Sequence, residues 1–160
     1  MNMKPVAPTL LEDCLFLYPP ERRHLTDWRY GGRILMATLL PHDADYGTIT
    51  VDYYTASQFV LTASQMSYVL SGCLFFDPDV PELTENLYPK FMDRMRVSDL
   101  YYTKINMRFR RKTYNKTPHT LSFALGNITR KGDLYFLVSK LTLPDRHGMI
   151  EISTAMNLGT

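Results

Sequence analysis

Cysteine is nearly absent: the chain has two, Cys14 and Cys73, with no metal-ligand partner at short spacing. That scarcity excludes a disulfide framework and a zinc site, and it suits a reducing compartment, so the cytoplasm is the expected location. Long hydrophobic runs are missing too. No segment approaches the ~20 apolar residues of a membrane span, and residues 1–8 lack the apolar core of a signal peptide, so no membrane partner is expected. Charge of one sign is scarce: 18 Lys and Arg against 16 Asp and Glu leave a net +2, too little to imply nucleic acid. Also absent are a glycine-rich phosphate loop, a nucleophile elbow and any metal-ligand cluster. The four histidines, His24, His42, His119 and His147, stand at no recognisable spacing. A chain of 160 residues without repeats or low-complexity stretches is expected to be one domain, 1–160.

What is present centres on residues 55–71. Thr55 followed by Gln58 is a capping-box pattern, in which hydroxyl and amide satisfy each other's backbone donors. Phe59, Val60, Ala63, Met66, Ser67 and Leu70 then recur at three- and four-residue spacing, and Gly72 reads as the C-terminal stop. One long helix is predicted here. Its faces carry as much Ala, Ser and Thr as large apolar residues, so a sheet can approach it closely.

Around that helix the periodicity is mostly that of strands. Residues 1–20 carry four of the ten prolines and a short apolar piece at 10–17, read as an N-terminal extension or helical lid. Residues 24–30 and 33–40 suit two strands joined at Gly31-Gly32. Residues 48–54 are extended in character, and a short second helix is expected around 84–95. From Tyr101 to Arg110, Tyr101, Thr103, Ile105, Met107 and Phe109 alternate with Tyr102, Lys104, Asn106, Arg108 and Arg110, the period of two of a half-buried strand. Three more strands at 119–129, 133–143 and 148–156 follow through short turns, which predicts an antiparallel meander. An antiparallel sheet around one solitary helix is an α+β layer arrangement, the hot-dog fold. Arg94, Arg96, Lys104, Arg108, Arg110, Arg111, Lys112 and Lys116 crowd into one third of the chain, either as a face for an anionic partner or as a solvated strand face.

This order, with Asp45-Tyr46 ahead of the helix, the run from Phe59 to Tyr68 within it, the later Lys104-Ile105-Asn106-Met107-Arg108-Phe109-Arg110-Arg111 and the ending Ile150 to Leu158, resembles the FcoT-like hot-dog thioesterases from about residue 10 onward. The resemblance implies acyl-thioester chemistry on coenzyme A or an acyl carrier protein (ACP), in a homodimer or higher oligomer with sites at the subunit interface. It implies no cofactor beyond the 4′-phosphopantetheine or coenzyme A carried by the substrate. Some members of the family hydrolyse long-chain acyl thioesters. Others add glycine to the β-carbon of a (2E)-enoyl thioester and release an N-carboxymethyl-3-amino acid for secondary metabolism. Two family tyrosines fall on Tyr18 and Tyr46, and family asparagines fall close to Thr55 and on Ser64. An acidic residue of the first helical turn becomes Gln58 here, which puts a helix carboxylate as nucleophile or base in doubt.

Either reaction needs donors for the thioester oxygen, and the backbone N–H groups of Ser57, Gln58 and Phe59 at the helix start offer them with the helix dipole behind. Gln58 either adds a side-chain donor or only closes the capping box. Glycine addition further needs a base and an acid. Asp45 is the expected base, with Tyr46 or Tyr53 as the hydrogen-bonding or acid group. The glycine carboxylate calls for a planar fork of donors, for which Arg108 is the candidate, with Lys104 and Arg110 as competitors. The expected reaction is therefore glycine addition with thioester hydrolysis. Its rivals are a plain acyl thioesterase and a non-catalytic hot-dog protein that binds acyl groups or a carrier protein.

Overall fold

Thr55 caps the central helix in the way its spacing predicts. Its hydroxyl accepts from the Gln58 N–H at 3.3 Å, and the Gln58 side-chain oxygen accepts from the Thr55 N–H at 2.8 Å. The structure, a computed structural model, describes residues 2–42, 52–96 and 100–159. In chain order its elements are β1 (Lys4–Pro5), α1 (Pro8–Leu15), β2 (Leu25–Gly31), β3 (Ile34–Leu39), α2 (Ala56–Leu74), α3 (Tyr88–Arg96), β4 (Leu100–Phe109), β5 (His119–Lys131), β6 (Leu134–Thr142) and β7 (Gly148–Asn157).

The stop of α2 lies elsewhere than its glycine suggests. The helix runs through Gly72 to Leu74, with Phe75 as its C-cap. Packing explains the glycine: a Cβ there would stand 2.5 Å from the Cys14 sulfur, so only glycine lets α1 lie this close to α2. The N-terminal segment is thus layered on the helix, with Cys14 and Leu15 buried beneath it and β1 paired to β2.

Among the described residues seven strands form one antiparallel sheet in the order β1-β2-β3-β5-β6-β7-β4. Its concave face sends Leu35, Ala37, Leu39, Leu121, Phe123, Leu141, Ile150 and Ile152 into a core shared with Ala63, Met66, Val69 and Leu70 of α2. Each such aliphatic side chain contributes on the order of 2 kcal/mol by leaving water. A single long helix wrapped by an antiparallel sheet is the hot-dog fold, as the element order predicts.

Three expectations need correction. The meander covers only β5, β6 and β7: β4 pairs with β7 at the far edge, and β5 pairs with β3, so the chain crosses the sheet between β4 and β5. The β2–β3 turn is centred on Gly32 and Arg33, both at positive φ (54° and 65°), as a two-residue primed turn requires, while Gly31 still pairs with Ile34. The alternation along β4 is broken by a bulge between Tyr102 and Lys104. Tyr102 therefore shares the concave face with Ile105, Met107 and Phe109, opposite the inward Thr154, Ile152, Ile150 and Gly148, whereas Tyr101 falls on the other face.

Candidate active site

The helix start opens onto a cavity of about 600 Å³ walled by Tyr53, Tyr54, Phe59 and Phe109, with Arg110, Arg111 and Lys112 at its rim. Phe59 and Phe109 stack with ring centroids 5.8 Å apart, and Phe59 also meets Tyr54 at 5.5 Å. Residues 52–54 are pinned across the mouth by β-type bonds: Tyr54 N–H to the Thr113 carbonyl at 2.9 Å and Asn115 N–H to the Asp52 carbonyl at 3.1 Å. Lys112 lies 4.4 Å above the Tyr53 ring, a cation–π contact that holds ammonium and phenol at one rim. Burial pushes the Tyr54 phenol up to about 12, and it donates to the Leu40 carbonyl at 2.9 Å.

The donors at this mouth differ from those expected. The Gln58 N–H is taken by the Thr55 hydroxyl and the Phe59 N–H by the Thr55 carbonyl at 3.1 Å. The start of α2 meets the cavity through Thr55, Ala56 and Phe59, and the N–H groups of Ala56 and Ser57 precede any intrahelical acceptor. Gln58 is 8% exposed and its oxygen is engaged by Thr55, so its capping role is realised. Ser57 is exposed, with its hydroxyl 3.3 Å from that of Thr55.

Two further residues from the resemblance meet half-way along the helix. Tyr18, on the segment after α1, and Ser64 of α2 approach each other, and Tyr68 and Tyr102 join them. The Tyr18–Tyr68 and Tyr68–Tyr102 rings are edge-to-face at 6.0 and 6.3 Å. Burial raises the phenols of Tyr18, Tyr68 and Tyr102, so all three stay protonated at neutral pH. Beside them Gln65, 2% exposed, donates to the Arg22 carbonyl at 2.7 Å.

Lys104 and Arg108 do not reach either place within one subunit. Their register opposite Ser153 and Met149 sets them on the outer face of the sheet, where Arg108 shares a shallow groove with Arg110, Thr142 and Arg146. The pleat of β4 puts them there, and the cations that do reach the mouth are Arg110, Arg111 and Lys112. Asp45 and Tyr46 lie outside the described residues.

Sequence reasoning also missed a ring of histidines. His24 stacks on His42 at 3.7 Å, His42 meets Tyr54 at 5.2 Å, and His119 meets Tyr54 edge-on at 6.0 Å. Their wide separation in the chain gave no signal, because only the crossing from β4 to β5 and the pairing of β5 with β3 bring His119 alongside. No three His, Cys, Asp or Glu among the described residues could hold a metal ion, and no helix among them is long and apolar enough to cross a membrane.

No protein-family model matches the sequence, and no curated protein matches it. Solved structures do. A thioesterase from Haemophilus influenzae superimposes over 97% of this chain and 95% of its own, at 13% identity and a TM-score of 0.53. A homologue of HP0420 from Helicobacter felis does so over 92% and 88%, at 9% identity and a TM-score of 0.52. Both similarities are of fold: the chain has the α+β hot-dog architecture over nearly its whole length.

Proposed function

We propose that this protein cleaves acyl thioesters of coenzyme A or an acyl carrier protein at the mouth of α2. The observation that carries the reading is the convergence of three things there. They are the first helical turn, which lines the cavity at Ala56, aromatic walls from Phe59 and Phe109, and three cations from residues 110–112. The turn and its dipole offer hydrogen bonds to the oxyanion of an attacked thioester. The walls suit the first carbons of an acyl group, and the rim suits the phosphates of its carrier. The likeness of fold to a thioesterase supports the same reading.

The finer reaction, addition of glycine to a (2E)-enoyl thioester with hydrolysis, rests on the resemblance to the FcoT-like family. In its favour, the described residues lining the mouth include no carboxylate to act as a hydrolytic nucleophile. Simple hydrolysis is the second reading. It is favoured by the outward placement of Arg108 and Lys104, which leaves the glycine carboxylate to the rim cations. Mass spectrometry of the protein with a medium-chain 2-enoyl thioester, with and without glycine, separates the two. A product one glycine heavier than the enoic acid, formed only when glycine is present, supports addition; enoic acid alone in both supports hydrolysis; no release in either overturns both.

A second copy of the chain is the natural cover for β4. Among the described residues this strand ends the sheet, with Ile105, Met107 and Phe109 on its concave face 38, 36 and 44% exposed, and an open strand edge carrying apolar side chains invites pairing. Edge-to-edge pairing of two β4 strands makes a homodimer. Sedimentation should give a dimer for the native chain and a monomer for Ile105→Glu combined with Met107→Glu.

A further inference from the structure

Half-way along α2 the core is polar where a hydrocarbon lining would be expected. The Tyr102 phenol oxygen is buried yet completes no hydrogen bond, and the same holds for the side-chain oxygen of Gln65. The Ser64 hydroxyl neighbours the Tyr18 and Tyr102 phenols, and the Tyr68 ring meets both tyrosines edge-to-face. An unpaired buried hydroxyl is costly and is seldom kept without a partner that comes and goes. Four hydroxyl groups arrive here from the segment after α1, from α2 and from β4, and the one left without a partner, that of Tyr102, is a donor that an incoming oxygen would satisfy.

The group lies on the same helix as the mouth, and Ser57, beside the mouth-lining Ala56, begins a stripe that leads toward it. Ser57, Leu61, Ser64 and Tyr68 follow at four- and three-residue steps, so they share one stripe of α2. Ser57 is exposed and Leu61 and Tyr68 are only half-buried, so the stripe is incompletely covered between the two places. At 1.5 Å per residue, Ser57 and Ser64 stand about 10 Å apart along the axis.

We infer that Tyr68 and Tyr102, with Tyr18 and Ser64, read an oxygen on the acyl group, so that the preferred substrate carries a hydroxyl or keto oxygen about 10 Å from its thioester carbonyl. The inference rests on acyl thioesters being the substrates of this site. A plain hydrocarbon chain leaves the Tyr102 hydroxyl unpaired, whereas an oxygenated chain accepts from it, and the difference is what the site selects. These four are specificity-determining residues; none is asked to move a proton.

The test uses non-cleavable S-alkyl pantetheine thioethers of equal length, with and without a hydroxyl at that distance, titrated calorimetrically. The native protein should bind the hydroxylated compound roughly tenfold more tightly, the size of one buried hydrogen bond made or left unmade. Tyr102→Phe should abolish that ratio while raising the thermal midpoint, and Ser64→Ala should reduce it. Equal affinities in the native protein, a ratio unchanged in Tyr102→Phe, or no binding of either compound would overturn the inference. The corresponding thioesters test the functional reading separately: if neither is cleaved, that reading fails while the affinity ratio stands on its own.

Discussion

The two ends of the Ser57–Ser64 stripe are built from opposite materials. The mouth is open, aromatic and cationic, assembled from the start of α2 and the chain just past β4. The mid-helix group is buried, neutral and phenolic, assembled from the segment after α1, from α2 and from β4 itself. Charge at the mouth can be kept because water screens it, and the penalty for an exposed guanidinium is small. About ten ångströms further along the helix the same charge would be expensive, and neutral hydroxyl groups stand there instead. One helix thus runs from a cationic, aromatic end to a neutral, phenolic middle, the contrast on which the proposed recognition of carrier and acyl group rests.

That separation can be broken most severely at Phe59, which is 2% exposed and belongs to both the core and the mouth wall. Phe59→Ala should cost about 3–5 kcal/mol in chemical denaturation, the usual range for a fully buried aromatic ring, and abolish turnover. Removing the cap is milder: Thr55→Ala loses the hydroxyl that holds the Gln58 N–H and should cost about 1 kcal/mol, leaving the mid-helix group intact. The smallest effect concerns pH. Burial raises the phenols of Tyr18 and Tyr68 above the ordinary 10.0, and that of Tyr102 likewise, so the unfolded chain releases these protons first. Stability should be unaffected by these groups below pH 10 and should fall as pH rises past it. Replacing Tyr68 and Tyr102 together by Phe should flatten that alkaline slope in thermal melts followed by circular dichroism, and an unchanged slope would assign it to other groups.

What the sequence shows and hides follows the range of the interactions involved. The Thr55–Gln58 cap is legible because all its atoms lie within four residues. Gly72 misleads because its reason is Cys14, on another helix and far away in the chain. The β4 alternation looks uniform, yet the bulge after Tyr102 is set by pairing with β7, which periodicity in one strand does not report. That slip turns Tyr102 inward and Tyr101 outward, so the strand was recognised while its two faces were exchanged before the bulge, whereas Lys104 and Arg108 stay on the face that the alternation gives them. Tyr18 and Ser64 were reached through the family resemblance, and their proximity in the fold could not have been inferred from their spacing. Tyr102 fell with the polar residues in the alternation of its strand, and only the bulge and its buried hydroxyl set it beside Tyr68.

The division of labour along α2 is tested most directly by following thiol release from a medium-chain acyl-coenzyme A and from the same acyl group on a short thiol that lacks the carrier's phosphates. The comparison is between the native protein and a variant with Arg110, Arg111 and Lys112 all changed to Ala. The account predicts a KM for the coenzyme A ester raised about tenfold in the variant, an effect that shrinks as salt is added, with kcat within about twofold and the short ester unaffected. No thiol release by the native protein, or an equal loss on both esters, would contradict it.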